Sequence, residues 1–445
     1  MTFTPAALDR SHDAQRRSWV ASANEPAGDF PLQNLPLGMF TRKGETAQAT
    51  ARAGIAIGDQ ILDLNAAVSE ALLNGAAARS VAATADGTLN GLMALGHEAG
   101  GALRLAVSDL LDARPTALST QARSMASRLL VPQAQATLHL PSRIGGFTDF
   151  LTSVDHIRRA RGKTHPEDAV PATLRHMPLA YNSRASSVRA SGHPVVRPHG
   201  QFRSPAGAVQ FGPCSALDFE LELGAYVGPG NELGEVIALT DAPRHLFGYC
   251  LLNDWSARDI QRWETHPLGP FLGKSFCSVV SPWVVTAQAL IPFLCAPPHR
   301  PTDQPGPLPY LQAASNEATG AIDIRVEAWI SSTAMREQGM PALCITRSRF
   351  ADMYWTFPQM VTHHTCGGCD LRPGDLIGSG TISGPDPQSC GCLAEFPHPL
   401  ALPDGSQRPW LADGDELVFK ARASREGFAS IGFGECRSRI APALT

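Results

Sequence analysis

A chain of 445 residues has room for two or three domains and a large core. A net charge of −4, with charged residues at 18%, gives no general attraction to nucleic acid or anionic membrane. No run of 18 apolar residues occurs and the first 17 residues hold no apolar stretch of signal type, so neither a membrane span nor secretion is expected, and ten cysteines read as reduced thiols of a cytoplasmic protein. The 36 prolines and 40 glycines argue for many turns and short strands, hence a β-rich mixed α+β fold.

Residues 1–140 read as a separate N-terminal unit and 141–445 as a larger second unit. Residues 54–64 read as strand, Gly-Asp turn and strand. Residues 89–111, rich in Ala and Leu, predict a helix broken near Gly100 and Gly101. No group of catalytic residue types stands out here. The second unit opens with GGFTDFL, residues 145–151, ahead of a helix start. Thr152 or Ser153 can cap that helix, and Asp155 and His156 fall in its first turn. Arg158, Arg159, Arg161 and Lys163 read as its solvated basic face. Residues 166–178 predict a loop leading to YNSRASS, 181–187.

The stretch 217–278 carries the strongest chemical signal. In LDFELEL, Glu220 and Glu222 stand two apart, so a strand turns both carboxylates to one face. Such alternation also fits the solvent side of an amphipathic strand. Asp254 shifts the balance: it ends a second apolar run, and Arg258 and Lys274 lie close by in sequence. Like charges side by side repel, and a hard divalent cation, which takes oxygen ligands, is the simplest reason to gather them.

Further on, residues 304–311 predict a surface loop, 322–331 a half-buried strand, and 350–365 a helix with Tyr354, Trp355, Met360 and Val361 on its apolar face. Residues 371–381 predict a turn and a buried strand, and 416–422 and 428–433 the closing strands. Cys366-Gly-Gly-Cys369 and Cys390-Gly-Cys392 could offer four thiolates to zinc, but the second pair has one intervening residue where about two to four are usual, so ordinary thiols are expected.

Several segments together resemble the fumarylacetoacetate hydrolase family: NLPLGMF (34–40), GIAIGDQILDLN (54–65), YNSRASSV (181–188), residues 217–231, NDWSARDIQ (253–261), PLGPFLGKS (267–275), LRPGDLIGSGTISGP (371–385) and GFGEC (432–436). The resemblance spans nearly the whole chain. It implies a small SH3-like N-terminal barrel followed by a β-roll catalytic domain, a homodimer, and metal-dependent hydrolysis of a C–C bond in a 1,3-diketo acid, 4-fumarylacetoacetate giving fumarate and acetoacetate. It implies that Asp149, Glu220, Glu222 and Asp254 hold Ca²⁺ or Mg²⁺, that His156 is the base, oriented by Glu395, and that Arg258, Gln261 and Lys274 stabilise the oxyanion. Tyr181, Gln261 and Thr381 would contact substrate, with Leu151 and Thr265 at two further contact positions. There the chain departs from the family: Leu151 and Thr265 stand where tyrosines are usual, and Ser278 replaces a Thr. An arginine that grips substrate carboxylate has no clear counterpart, and His165 falls nearest. Two alternatives follow: a related hydrolase or decarboxylase acting on another diketo or oxo acid with a less polar end, and a non-catalytic or zinc-binding homologue.

Overall fold

The computed structural model describes residues 7–46, 50–162, 170–302 and 304–444, apart from the side chain of Arg161. Lys163 and His165 lie outside them. The N-terminal part is built on five antiparallel strands, in the order Leu130–Pro132, Gln60–Asp63, Arg52–Ile57, Leu37–Arg42, Ala136–His139. The expected turn between residues 57 and 60 is there: Gly58 has φ +57°, and a Cβ would strike the backbone of Ala23 at 2.5 Å. Met39, Ile55 and Leu62 on the sheet and Leu103 and Val107 on the covering helix Gly96–Leu110 share one apolar cluster.

The helical stretch breaks earlier than expected, at Leu95 and Gly96, between helices Asn90–Ala94 and Gly96–Leu110. Gly96 has φ +73°, and a Cβ there would lie 2.9 Å from Pro229 Cγ. Gly100 and Gly101 stay inside the second helix, where Gly100 is buried facing Phe247 and Gln288.

The larger part holds two mixed sheets. The first runs Leu179–Asn182, Phe147–Leu151, Leu376–Gly378, Leu221–Val227, Leu246–Asp254, Ser278–Val280, Val188–Ala190, with Val285–Thr286 also on Leu246–Asp254. The second runs Leu343–Arg349, Ile324–Ser331, Glu416–Ala423, Ile431–Ala441, Val195–Val196. Leu221, Leu223 and Leu251 from the first and Ile324, Val326 and Phe433 from the second belong to one core cluster, in which the rings of Phe219 and Phe419 lie 5.7 Å apart. The strand Leu221–Val227 is buried on both faces and Glu220, just ahead of it, is buried too, so neither Glu220 nor Glu222 lies on a solvent edge.

Two late elements differ from expectation. The helix starts at Phe357 rather than 350, because Thr356 and Gln359 form a capping box and Pro358 follows at once. Tyr354 and Trp355 precede it, and Trp355 is fully buried. The closing strand runs Ile431–Ala441, longer than the apolar segment that marked it. Among the described residues, no helix is long and apolar enough to cross a membrane.

Candidate active site

Three strands of one sheet, and the residue just ahead of one of them, bring four carboxylates together. Asp149 lies on Phe147–Leu151, Glu222 on Leu221–Val227, and Asp254 ends Leu246–Asp254. Between the first two runs Leu376–Gly378, with Gly378 opposite both Asp149 and Gly224. A Cβ on Gly378 would stand 2.3 Å from Asp149 Oδ1 and 3.2 Å from Glu222 Oε2, so only glycine leaves room for both acids. Glu220 precedes its strand, with its N–H donating to Asn253 Oδ1 at 3.2 Å. One oxygen from each of Asp149, Glu220, Glu222 and Asp254 lies within 4.8 Å of the others, and all four residues are buried.

The four are unequally supported. Glu220 bonds Lys274 Nζ and accepts from Arg258 Nη1 at 2.8 Å; burial opposes its ionisation, but Lys274 and Arg258 outweigh it and hold the carboxyl well below the usual range. Asp254 accepts from Lys274 Nζ and Tyr181 Oη, each at 2.7 Å, and from Ser278 Oγ at 2.7 Å. Asp149 takes Tyr181 Oη at 2.9 Å and the N–H of Gly380 at 3.3 Å. Burial, with Asp254 beside it, pushes Asp149 up to about 8. Neither oxygen of Glu222 has a donor among the described residues, and burial with Asp149 and Glu220 alongside raises its carboxyl well above the ordinary value. Among the described residues, five buried carboxyl groups, Asp218 included, have Lys274 and Arg258 as their ion-pair partners, so ionising all five would leave an excess of three negative charges. Bare oxygens buried in an acid cluster are a costly arrangement for protons alone and suit a hard divalent cation.

Next to this cluster lies a second constellation. Ser153 Oγ caps the helix Val154–Gly162 by accepting the N–H of His156 at 3.0 Å, and itself donates to Ser383 O at 2.7 Å. His156 Nδ1 meets Glu395 Oε1 at 2.7 Å, with the carboxylate fully buried. Burial opposes ionisation of Glu395, but His156 and Ser383 outweigh it and hold the carboxyl below its usual range. A neutral imidazole that donates from Nδ1 keeps a lone pair on Nε2.

The remaining expectations fall as follows. Arg258 Nη1 reaches Glu220 and, at 3.2 Å, Gln261 Oε1, while its Nη2 is buried without a partner among the described residues. The hydroxyl of Tyr181 is spent on Asp149 and Asp254. Thr381 is buried against Gly391, where a Cβ would stand 2.4 Å from Thr381 Cγ2. Leu151 packs onto the apolar cluster of Leu174, Leu311 and Trp355, and Thr265 donates to Gln261 O of its own helix. Arg158 does pair with Asp155 at the surface, but Arg159 does not belong to a solvated face: Nη1 lies 3.3 Å from Glu395 Oε2, and Nη2 donates to Gly384 O and Asp386 O. The four cysteines do not gather: Cys366 and Cys369 are exposed, whereas Cys392 is buried with its sulfur 3.4 Å from Glu395 Oε1. Ser383 and Asp218 carry no role in the sequence reading, and Cys392 only that of a zinc ligand, although the two-residue period of LDFELE, run one step back, reaches Asp218.

Comparison with known proteins settles the kinship. The family described as fumarylacetoacetase N-terminal matches residues 33–141, and fumarylacetoacetate hydrolase C-terminal matches 146–441. The chain belongs to the fumarylacetoacetate hydrolase family. A fumarylacetoacetase of Oryza sativa subsp. japonica is 42% identical over 437 residues, covering 96% of this chain and 98% of the relative. Those of Bos taurus and Homo sapiens are each 43% identical and cover 94% of this chain and 97% of their own. A solved family member, the fumarylacetoacetate hydrolase from psychrophilic Exiguobacterium antarcticum, shares the fold at TM-score 0.50 and 16% identity, over 92% of this chain and 99% of its own.

Proposed function

We propose that the protein hydrolyses 4-fumarylacetoacetate to fumarate and acetoacetate. The observation that carries this is the buried His156–Glu395 pair set beside four converging carboxylates, in a chain 42–43% identical over nearly its full length to proteins named fumarylacetoacetase. His156 Nε2 takes a proton from water, which attacks the carbonyl carbon. Glu395 fixes the ring through Nδ1 and stabilises its protonated form. Arg258, whose Nη2 has no partner among the described residues, and Lys274 supply donors to the oxygen that gains charge, with Gln261 beside Arg258. The C–C bond then breaks, and the departing carbon keeps the electron pair as an enolate until it takes up the proton that His156 Nε2 removed from water. Asp149, Glu220, Glu222 and Asp254 would hold a divalent cation, Ca²⁺ or Mg²⁺, which supplies positive charge to the diketone oxygens. Tyr181 orients Asp149 and Asp254, and Thr381, buried beside Gly391, contacts substrate on this reading.

On the same reading, the N-terminal sheet is an SH3-like barrel that ends near residue 140, the catalytic part is a β-roll, and the enzyme is a cytoplasmic homodimer. A second reading, a diketo acid with a less polar end, is favoured by Leu151, which faces an apolar cluster, and Thr265, whose hydroxyl is turned to its own helix. The test is kcat/KM for 4-fumarylacetoacetate and for a panel of 1,3-diketo acids with bulkier or uncharged ends, in wild type and in Leu151→Tyr/Thr265→Tyr. A wild type that prefers 4-fumarylacetoacetate, and a double variant that gains nothing with it, support the first reading and reject the second.

A further inference from the structure

Asp218 lies two residues before Glu220 and is completely buried. Its carboxylate receives four donors. Oδ1 accepts from the N–H of Leu393 at 2.8 Å and of Phe219 at 2.9 Å; Oδ2 accepts from Arg258 Nε at 2.9 Å and from the N–H of Ala394 at 3.1 Å. An ionised carboxylate offers about four acceptor sites, so Asp218 is saturated and has none left for substrate or cation. It lies outside the group of four converging carboxylates.

The partners are far apart in sequence: Arg258 is 40 residues on and Leu393 is 175. Leu393 and Ala394 are the first two residues of the short turn Leu393–Glu395, and Glu395 is the third. The residue ahead of that turn, Cys392, provides no side-chain cap. Asp218 therefore accepts the N–H groups that a turn leaves open at its start. Where that turn sits decides where the oxygens of Glu395 stand relative to His156. On its other side, Asp218 holds Arg258 by Nε, which aims Nη1 at Glu220 and leaves Nη2 open.

We propose that Asp218 is a positioning residue that ties Glu395 and Arg258 to one carboxylate, so that the base pair and the guanidinium meet the reacting carbonyl in a single arrangement. This rests on the reading of His156 and Glu395 as the acid–base pair. Asp218 transfers no proton itself; it acts through the two groups it holds.

Asp218→Asn tests it, because the volume is kept while the charge is removed. Whichever way the amide turns, its NH₂ confronts two N–H donors. The expected loss in kcat is about tenfold to a hundredfold, the range for a residue that orients an active-site group, with KM nearly unchanged. Combined with Glu395→Gln, the double variant should lose less than the product of the single losses by at least about threefold, because once the Glu395 carboxylate is gone its placement by Asp218 no longer matters. A purely structural role lowers the melting temperature but leaves the losses multiplicative. Full kcat in Asp218→Asn, or losses that multiply, would overturn the proposal. If Glu395→Gln alone keeps full activity, the acid–base reading falls with it; if Glu395→Gln is crippled and Asp218→Asn is not, only this inference falls. Should Asp218→Asn not fold, Asp218→Ser, which leaves room for water to bridge the same donors, enters the same cycle.

Discussion

Glu222→Gln should make the metal-free protein tougher at alkaline pH and the metal-loaded enzyme weaker. Both oxygens of Glu222 are buried without donors among the described residues, and its carboxyl shares a 4.8 Å neighbourhood with three others. At that separation each pair of unit charges repels by about 3–4 kcal/mol at an effective dielectric of about 20. Burial and these neighbours raise Glu222 well above its ordinary value, and Asp149 to about 8. A carboxyl raised on folding binds more protons in the native than in the unfolded state. Its stabilising contribution is complete below the unfolded value and is lost as pH climbs through the folded one. In chelator, wild type should therefore lose stability between about pH 5 and 8, by roughly 1 kcal/mol per pH unit for each proton held. With an unfolding entropy of about 2 cal/mol/K per residue, 445 residues turn 1 kcal/mol into about 1 °C. An amide at this position cannot ionise, so the variant should show a shallower decline and a melting temperature a few degrees above wild type at pH 8. Added Mg²⁺ or Ca²⁺ should then raise wild type far more than the variant. The assay is thermal unfolding across pH 5–9, in chelator and in each metal. A variant that matches wild type in metal-induced stabilisation, or that melts below it in chelator at pH 8, would refute the reasoning.

Other outcomes follow from the same geometry. His156→Ala should remove nearly all turnover and leave metal content by elemental analysis unchanged; near-normal kcat would mean another base. Glu395→Gln keeps an acceptor for His156 but loses the charge, a change of about 1.5–3 kcal/mol and so about ten- to a hundredfold or somewhat more in kcat, read in steady-state turnover. Metal affinity, measured by calorimetry, should rise with pH up to about 8, because the ligands Asp149 and Glu222 must shed protons to bind; a flat profile would exclude a proton-linked site. Gly378→Ala should cost both metal and activity, since its methyl would land 2.3 Å from Asp149 Oδ1, and unchanged occupancy would contradict that crowding.

Much of the site was legible locally. The spacing of Glu220 and Glu222 predicts a shared face because a strand repeats every two residues, and Ser153 capping the helix of His156 is a short-range signal. Arg159 could have been read as well: His156 and Arg159 are three apart on one helix, so they share a face, yet their partners come from residues 384–395. What sequence spacing could not supply was pairing across distance. Asp149 meets Glu222 only because Leu376–Gly378, far beyond both in the chain, slots between their strands and has no side chain at Gly378. The burial that decides against a solvated strand face likewise comes from a distance: Leu221 and Leu223 pack with the second sheet, while Tyr226, on the Glu222 side of the strand, joins the apolar cluster of the N-terminal part. The helix break at Gly96 was misplaced because Gly-Gly is the louder signal, while close approach to Pro229 is a tertiary constraint.

The most direct test of the account is the hydrolysis of 4-fumarylacetoacetate by purified protein stripped with chelator and then reloaded. The account predicts negligible turnover after stripping and recovery with Mg²⁺ or Ca²⁺, with fumarate and acetoacetate formed in equal amounts. Full turnover by protein shown by elemental analysis to be metal-free, or no cleavage by the fully loaded enzyme, would contradict it.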